Sequence, residues 1–370
     1  MARGRVMRVA VYTELYPPHV GGMEVRMSEL AKALVARGHA VDVFCIRHDV
    51  AVPAESVEHG VRVRRYPTAP RYRRSLIPKM PRSVWAIARY ARWARRTASA
   101  GAYDVYLFNQ WPFGHLAVAP ASVRERAITD WCEVRGGRLY GAFERRLPRR
   151  SARNMAVSRE VAEGIAAASG QSVDALPTGV DTRQFRADVV RGGVLYVGRL
   201  FEHKRVPLLV EAFAKLRANG FTGTLTIAGD GPARTDVDRA VASLDAATRA
   251  AVQVMGYVDE AEKVRLLAAA AVLVLPSMRE GFPNVVSEAM ASSLPVVTTN
   301  DSGNGTAAVV REYGIGEVAD PTPSAIADAV RTVLEDWPAY SQRAAAGGAS
   351  LDWSALVVRF EEMAASLPSR

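Results

Sequence analysis

The chain has little of what would mark a secreted, metal-binding or membrane-spanning protein. Its 370 residues include only two cysteines, Cys45 and Cys132, which form neither a disulfide framework nor a zinc-type spacing. The longest apolar run, from Leu266 to Leu275, is shorter than the roughly 20 residues that cross a bilayer. The N-terminal residues carry charge without the apolar region of a signal peptide. We therefore expect a cytoplasmic protein.

Acidic residues are missing from one long stretch. Between Arg62 and Arg96 there are twelve basic residues and no Asp or Glu. Residues 1–180 contain 29 Lys/Arg and 15 Asp/Glu, a net charge of +14, whereas residues 181–370 contain 19 and 23, a net charge of −4. The 62–96 region predicts either contact with an anionic surface such as a membrane, or simply a solvated Arg-rich face. Nucleic acid is the weaker candidate, because no aromatic strand platform or recognition helix accompanies the charge.

What the chain does contain is typical of a globular α/β protein. It is 49% hydrophobic and 23% charged, and its length fits two domains. Short apolar runs alternate with amphipathic stretches, a pattern that predicts parallel sheets covered by helices. The pattern occurs in two series that join between Asp174 and Thr182, so we expect two doubly wound sheets with ligands at the carboxyl ends of their strands. The strand candidates in chain order are RVAVYTE, AVDVFCI, YDVYLFN, RAITDW, GGVLYVGRL, TLTIAGDG, VQVMGYV, AVLVLP and PVVTTN.

Glycines and cations follow several of these strands. Gly21 and Gly22 precede a predicted helix, where backbone N–H groups and the helix N-terminus favour an anion. Arg199 and Lys204, in VGRLFEHK, suit a diphosphate at the edge of the sheet. Taken alone, the glycines are equally well explained as an ordinary turn, and the two cations are better explained as solvated surface residues. A complete G-x-G-x-x-G is missing, which argues against a nicotinamide cofactor.

Two carboxylates stand eight residues apart in REGFPNVVSEAM. Glu280 falls on the loop after the predicted strand AVLVLP, and Glu288 falls in the first turns of the predicted helix NVVSEAMASS. A carboxylate near a helix N-terminus is stabilised as an anion and can accept two sugar hydroxyls. The simpler interpretation is a capping acid and a surface acid.

The motifs taken together resemble the retaining glycosyltransferases of family 4. REGFPNVVSEAM is similar to that family's E-x7-E signature, VGRLFEHK to its donor-phosphate element and PPHVGG to its N-terminal glycine loop. LPTGVDTRQF, IAGDGP and MGYV follow in the expected order, so that the resemblance covers nearly the whole chain. It implies a GT-B fold, in which two Rossmann-like domains face a cleft. Residues 1–176 with a returning C-terminal helix, 353–370, would form the acceptor side, and residues 177–352 the nucleotide-sugar side.

The resemblance also implies roles for individual residues. Arg199 and Lys204 would hold the diphosphate of the donor, Glu288 its ribose hydroxyls, and Glu280 the hydroxyls of the donor sugar. Further donor contacts would come from Gly21, Gly22, Gly281, Phe282, Pro283 and Asn284. The donor would be a UDP- or GDP-linked hexose, without a metal or a further cofactor. Asp236 and Asp238 do form a D-x-D, but they stand at the start of a predicted surface helix, and we interpret them as helix acids.

The chain departs from the family at one position. Many members carry a histidine at the end of the strand corresponding to YDVYLFN, where this sequence has Asn109. Asn109 can still hydrogen-bond a sugar hydroxyl but cannot titrate near neutral pH, and His115 is a possible substitute. Asp130 and Glu133 follow the next strand and are candidates for the acceptor side, where an anionic pocket would suit an amine-bearing sugar or cyclitol.

Four functions are therefore compatible with the sequence. We expect a hexosyltransferase that acts on a small sugar, cyclitol or natural-product intermediate. The helix candidate SVWAIARYARWARRTA, with its arginines and tryptophans, favours a membrane lipid acceptor and peripheral contact at the inner membrane face. The commoner arrangement for such a helix is that its aromatic residues pack on the domain core. A nucleotide-sugar 2-epimerase is the third candidate, and a non-catalytic nucleotide-sugar binding protein is the fourth.

Overall fold

The structure is a computed structural model that describes residues 5–19, 21–67, 83–185 and 191–368. Residues 68–82, a large part of the basic 62–96 region, lie outside the described residues. The chain divides into two compact units, residues 1–179 with 353–370 and residues 180–352. The division at Gly179 is near the predicted join at residues 176 and 177.

The first unit is built on a mostly parallel sheet that has eight strands in the described part of the chain. Its elements are β1 (Arg8–Tyr12), α1 (Gly22–Ala36), β2 (Ala40–Arg47), β3 (Glu55–Glu58), β4 (Val61–Pro67), α2 (Val84–Ala100), β5 (Val105–Asn109), α3 (Gly114–Ala117), α4 (Ala121–Arg124), β6 (Ala127–Trp131), α5 (Gly137–Arg146), β7 (Arg153–Ala156), α6 (Arg159–Ser169) and β8 (Asp174–Ala175). The strand order is β3-β4-β2-β1-β5-β6-β7-β8. β3 pairs antiparallel to β4, and the sequence did not predict this edge hairpin.

The second unit has its own parallel sheet, with six strands among the described residues in the order β11-β10-β9-β12-β14-β16. Its elements are β9 (Val194–Val197), α7 (Val206–Ala218), β10 (Leu225–Ala228), α8 (Arg234–Ala242), α9 (Ala246–Ala250), β11 (Val252–Gly256), α10 (Glu260–Ala269), β12 (Val272–Leu275), β13 (Arg279–Glu280), α11 (Asn284–Ala291), β14 (Val296–Thr299), β15 (Gly303–Asn304), α12 (Gly305–Tyr313), β16 (Gly316–Ala319), α13 (Pro323–Glu335) and α14 (Trp337–Ser350). The predicted fold class, two α/β domains with parallel sheets, is confirmed.

Central strands are apolar on both faces because helices cover both sides of each sheet. β9 and β12 read VLYV and VLVL and are buried throughout. The last helix, α15 (Trp353–Ala365), follows the second unit in the chain but belongs to the first. Its apolar residues Trp353, Leu356 and Phe360 join the core formed by β1, β2 and α1.

Several helices begin at a capping side chain or end at a glycine. The side chains of Ser158, Asp259 and Thr322 accept hydrogen bonds from the first-turn N–H groups of α6, α10 and α13, which satisfies donors that the helix itself leaves open. α12 ends at Gly314, whose φ of 61° lies in the left-handed region that glycine adopts without steric cost.

Candidate active site

In the second unit, Lys204 and Glu280 form an ion pair at the carboxyl edge of the sheet. Lys204 ends the single helical turn that follows β9, and its Nζ contacts Oε1 of Glu280 in β13. Their side chains are 18% and 12% exposed. β13 pairs with β15 through Glu280 and Asn304, and the buried Asn304 amide donates to Thr298 and Thr299. These contacts hold the Glu280 carboxylate in place beside a cation.

Arg199 lies on the same loop and is the more accessible cation. It directly follows Gly198 after β9, and its side chain is exposed, with its guanidinium carbon 5.1 Å from the centre of the Phe201 ring. Among the described residues it has no acidic partner. A guanidinium that is held on an aromatic face but not neutralised is suited to bind a phosphate.

α11 begins at Asn284, directly after the segment that follows Glu280. Phe282 is buried, and Pro283 precedes the helix with φ −65° and ψ 136°. A proline at this position has no N–H that would need a partner, and the N-terminus of α11 follows it directly. The segment therefore presents a helix N-terminus, which favours an anion, close to Glu280 in the chain.

Glu288 lies further along α11 and is paired with a residue that sequence reasoning missed. Nζ of Lys263, on α10, lies 2.7 Å from Oε1 of Glu288 and 3.0 Å from Oε2 of Glu260. Burial raises the pKa of Glu288 above its ordinary value, and the attraction of Lys263 opposes that rise. We expected the helix N-terminus to stabilise this carboxylate, but burial is the larger effect and favours the protonated form.

Arg205 is a second residue at the carboxyl edge of the sheet that sequence reasoning missed. It occupies the left-handed region at φ 49° and ψ 39°. Its guanidinium donates to the carbonyl of Pro276 (2.9 Å) and to Oγ1 of Thr299 (3.1 Å), and forms an ion pair with Asp301. Arg205 thus ties the loop after β9 to the loops after β12 and β14. The only sequence signal was its place beside Lys204 in a cation-rich loop.

In the first unit, Gly21 and Gly22 lie at the start of α1, as predicted. Gly21 precedes the helix in extended conformation, with φ −170°. Glu24 stands in the first turn, with its Oε1 3.1 Å from Nδ1 of His19. An acid is already present at this helix N-terminus, so part of its positive potential is used by the protein itself.

Asn109 ends β5 and is 1% exposed. Its Oδ1 accepts a hydrogen bond from the Trp111 N–H at 3.1 Å, and its Nδ2 lies 3.4 Å from both Oδ2 of Asp130 and Sγ of Cys132. An amide oxygen has two lone pairs, so Oδ1 keeps one acceptor position. Asn109 is therefore held in a fixed orientation by its neighbours.

His115 is buried on α3 and stacks on Phe108 with 5.3 Å between the ring centres. Its Nε2 lies 2.8 Å from the carbonyl oxygen of Asn109, so we assign the proton to Nε2. Burial lowers the pKa of His115 to about 3. The imidazole is consequently neutral at physiological pH, and its contacts are those of a packed core residue.

Asp130 and Glu133 are neutralised by arginines rather than free. Asp130 is completely buried and accepts two hydrogen bonds from Arg26 on α1, at 2.9 and 3.0 Å. Glu133 is more accessible, and its Oε1 accepts hydrogen bonds from Arg135 at 2.8 Å and from the Trp111 indole at 3.2 Å. Because both charges are paired, the argument for an anionic pocket that selects an amine loses its basis.

The D-x-D aspartates lie on α8, as expected for surface acids. Asp238 pairs with Arg234 and Asp236 with Arg239, each at 2.8 Å. In the described part of the chain, no group of three or more His, Cys, Asp or Glu residues is placed to hold a metal ion.

The helix α2 buries one face and exposes a basic one. Tyr90 and the alanines 86, 91, 94 and 98 are buried, and the half-buried Trp93 packs on Phe44, Tyr66 and Tyr90. Arg89, Arg92, Arg95 and Arg96 are exposed, and Trp85 is 74% exposed. Of the helices that the structure describes, none is long and apolar enough to span a membrane.

Two family models match the chain, one in each half. The model described as "Glycosyltransferase Family 4" matches residues 20–184, and the one described as "Glycosyl transferases group 1" matches residues 183–349. A D-inositol 3-phosphate glycosyltransferase of Pseudarthrobacter chlorophenolicus is 30% identical over 76% of this chain and 75% of its own length. A glycogen synthase of Mycobacterium tuberculosis is 29% identical over 92% of this chain and 88% of its own.

Solved structures share the fold over nearly the full length. Sucrose-phosphate synthase from Thermosynechococcus elongatus superposes with a TM-score of 0.77 at 20% identity, over 98% of this chain and 99% of its own. HepE from Anabaena, in complex with UDP and glucose, superposes with a TM-score of 0.75 at 17% identity, over 98% of this chain and 100% of its own.

Proposed function

The chain belongs to the family 4 glycosyltransferases with the GT-B fold, and we propose that it transfers a hexosyl unit from a nucleotide sugar to a hydroxyl acceptor with retention of configuration. The observation that carries this proposal is the pairing of Lys204 with Glu280 at the end of the second sheet. A cation for phosphate and a carboxylate for sugar hydroxyls are thereby held side by side. Both Anabaena HepE, which was solved with UDP, and the order of the motifs support a nucleotide-linked donor.

We assign donor binding to the second unit, residues 180–352. Arg199 and Lys204 hold the diphosphate. The backbone N–H groups of Gly281, Phe282 and Asn284 support phosphate and sugar, and Pro283, which has no N–H, shapes the segment between them. Glu280 accepts hydroxyls of the donor sugar and Glu288 those of the ribose. Protein cations and a helix N-terminus supply the charge stabilisation that a departing nucleotide needs, so the reaction requires no metal.

In the proposed chemical step, the leaving phosphate of the donor takes up the proton of the acceptor. The bond between the anomeric carbon and the β-phosphate oxygen breaks, and the acceptor oxygen forms the new bond on the same face of the sugar. The acceptor proton passes to the leaving phosphate oxygen. The protein then needs groups that position the donor and stabilise developing charge, but no titrating base. That requirement fits Asn109, and Gly21 and Gly22 are our candidates for backbone N–H donors to the donor.

For the acceptor we propose a neutral or phosphorylated polyol, of the sugar or cyclitol class, bound by the first unit. Asp130 is paired with Arg26 and Glu133 with Arg135, so neither of these two carboxylates is an unpaired charge that would select an amine. The relative from Pseudarthrobacter chlorophenolicus is described as a D-inositol 3-phosphate glycosyltransferase, which supports the cyclitol class. In this proposal Asp130 is a positioning residue for Asn109. Glu133 and Arg135 form the more solvent-exposed part of the acceptor site.

Product analysis tests the proposal. The protein is incubated with UDP- and GDP-hexoses, with and without inositol phosphate and a panel of sugars, in buffer with and without EDTA. A new glycoside whose anomeric proton coupling matches the donor supports a retaining transferase. An isomeric sugar formed without acceptor identifies a 2-epimerase, and nucleotide binding without turnover identifies a binding protein. Activity lost in EDTA and restored by a divalent cation contradicts metal independence.

A lipid acceptor at a membrane surface is the second candidate, favoured by the basic face of α2. Arg89, Arg92 and Arg96 are exposed on the side of the helix that also carries the exposed Trp85. Basic residues near an anionic bilayer contribute about 1 kcal/mol each. Sedimentation with phosphatidylglycerol vesicles tests it: Arg92→Glu/Arg96→Glu abolishes binding if α2 docks, whereas Lys215→Glu/Arg239→Glu on the second unit does not.

A further inference from the structure

Lys263 connects the buried Glu288 to a second helix. Its stem runs from α10, and its ammonium group bonds Oε1 of Glu288 at 2.7 Å and Oε2 of Glu260 at 3.0 Å. The side chain of Lys263 is 19% exposed and that of Glu288 only 10%, whereas Glu260 is 64% exposed. The lysine therefore compensates the inner carboxylate in a place that water reaches poorly.

The charges of Lys263 and Glu288 depend on each other. Burial raises the pKa of Glu288, Lys263 counteracts that rise, and the nearby Glu260 adds to it. Burial would lower the pKa of Lys263, but attraction to Glu288 and Glu260 outweighs this and holds it above its ordinary value. Lys263 and Glu260 are the charged groups that face Glu288 in the described part of the chain. Without the lysine, Glu288 would take up a proton at a higher pH.

Only one of the two carboxylate oxygens of Glu288 is hydrogen-bonded among the residues that the structure describes. Lys263 contacts Oε1, and Oε2 has no hydrogen-bond partner among the residues that the structure describes. An ionised carboxylate with a fixed orientation accepts hydroxyl protons, whereas a protonated one loses part of that capacity. The geometry thus couples the acceptor strength of Oε2 to the presence of a cation on the opposite side.

We propose that Lys263 is a positioning residue of the nucleotide site: it keeps Glu288 ionised and oriented, so that Oε2 accepts the ribose hydroxyls of the donor. The inference rests on the proposed function, which assigns the ribose to Glu288. The simpler explanation is that the pair only ties α10 to α11. The two differ in what they predict for pH, because a mere tie changes stability without changing the pH at which nucleotide affinity falls.

Calorimetric titration with UDP and with GDP, from about pH 5 to 9, separates them. Wild type is compared with Lys263→Met, Lys263→Arg and Glu260→Gln, and with Lys215→Met, an exposed lysine on α7, as the matched control. Glu288→Gln measures the titration of the nucleotide's own phosphate, which is subtracted from every profile. The corresponding 2′-deoxynucleotide serves as a ligand that lacks one of the hydroxyls.

As the pH is lowered, we expect the affinity of Lys263→Met to fall at a pH about one unit higher than that of wild type. The Kd of the variant is then about threefold weaker midway between the two pKa values and approaches about tenfold weaker below both. Lys263→Arg restores the profile because it retains the cation. Glu260→Gln moves the fall to lower pH because it removes a like charge. Lys215→Met leaves the profile unchanged, and the 2′-deoxynucleotide shows a smaller effect of Lys263→Met.

A double variant keeps the test decisive if Lys263→Met alone does not fold. Lys263→Met/Glu288→Gln removes both charges together, and under the proposal it binds UDP or GDP as Glu288→Gln does. Two results overturn the role of Lys263. One is weaker nucleotide binding by the double variant than by Glu288→Gln. The other is a Lys263→Met profile with lower affinity at every pH but a fall at the same pH as in wild type. Failure of wild type to bind either nucleotide, or wild-type affinity in Glu288→Gln, instead overturns the proposed donor site itself.

Discussion

Arg26 and Asp130 form an ion pair that is closed off from solvent. Nε and Nη2 of Arg26 lie 3.0 and 2.9 Å from the two oxygens of Asp130, and the side chains are 2% and 0% exposed. Two further guanidinium donors bond the carbonyls of Leu176 and Pro177, each at 2.8 Å. One arginine thereby connects α1, the end of β6 and the chain segment that leads out of the first unit.

Asp130→Asn should destabilise the first unit, because it leaves the buried guanidinium without a counter-charge. Breaking one side of a buried ion pair costs about 3–5 kcal/mol. Urea unfolding followed by tryptophan fluorescence should show a lower midpoint for the transition of this unit. Arg26→Met/Asp130→Asn should recover part of the loss, since no unpaired charge is left. A midpoint equal to that of wild type in the single variant would contradict the stabilising role of the pair.

Arg199→Ala and Lys204→Ala should each weaken nucleoside diphosphate binding. A charge-assisted hydrogen bond contributes about 1.5–3 kcal/mol, which is roughly a 10- to 100-fold change in Kd. Lys204→Ala should cost more, because it also leaves Glu280 without its partner. Calorimetry with UDP and GDP measures the effect, and Arg239→Ala on the exposed face of α8 is the control. Unchanged affinity in both variants would place the diphosphate elsewhere.

Glu280→Gln and Glu288→Gln should separate turnover from binding. Glu288→Gln should mainly raise the donor KM, because the ribose is bound equally in the ground state and the transition state. Glu280→Gln should lower kcat more than it raises KM if its contact to the sugar tightens as charge develops. Steady-state kinetics at several donor concentrations resolves the two effects. Normal kinetics in the double variant would remove both acids from the site.

Asn109→Ala should reduce turnover, by about 100-fold if the amide stabilises charge in the transition state. His115→Gln should leave kcat and its neutral pH profile near wild type, since burial keeps this imidazole neutral. Activity is compared in both variants after circular dichroism has shown that they are folded. Loss of transfer in His115→Gln, together with loss of a neutral-pH limb, would reverse the assignment and make the imidazole the working group.

The stability of the first unit should decrease in acid because of His115. Its pKa is lowered by burial from 6.5 to about 3, so the unfolded chain binds a proton that the folded unit does not. The contribution is fully present above pH 6.5 and is lost as the pH falls towards 3, at about 1.4 kcal/mol per pH unit. Urea midpoints across this range should decline less steeply in His115→Gln. Equal slopes of urea midpoint against pH for wild type and His115→Gln would show that protonation of His115 does not destabilise the folded unit.

Much of the fold followed from local sequence. The apolar runs VLYV and VLVL predict buried parallel strands because helices cover both faces, and the start of α11 at Asn284 follows from the proline before it. The placement of Arg199, Lys204 and Glu280 after strands also predicts that they share an edge, since parallel strands end on the same side. The edge hairpin of β3 and β4 was missed, although β4 alternates apolar and charged residues in VRVR. Its partner β3 carries only one apolar residue, Val57, which is exposed, so no apolar pattern marks that strand.

What only the tertiary structure decided is which charges are neutralised and which are accessible. The sequence predicted Asp130 after a strand, as a ligand-binding residue would be, but it lies within β6 near its end, and Arg26, 104 residues away, binds both of its oxygens inside the core. Glu288 carries the family signature, but its partner Lys263 comes from a different helix 25 residues earlier. Burial, desolvation and pairing are set by packing between elements distant in sequence. The sequence determined on which strand, helix or loop each carboxylate lies. The packed structure determined which cation neutralises it and therefore what it can still bind.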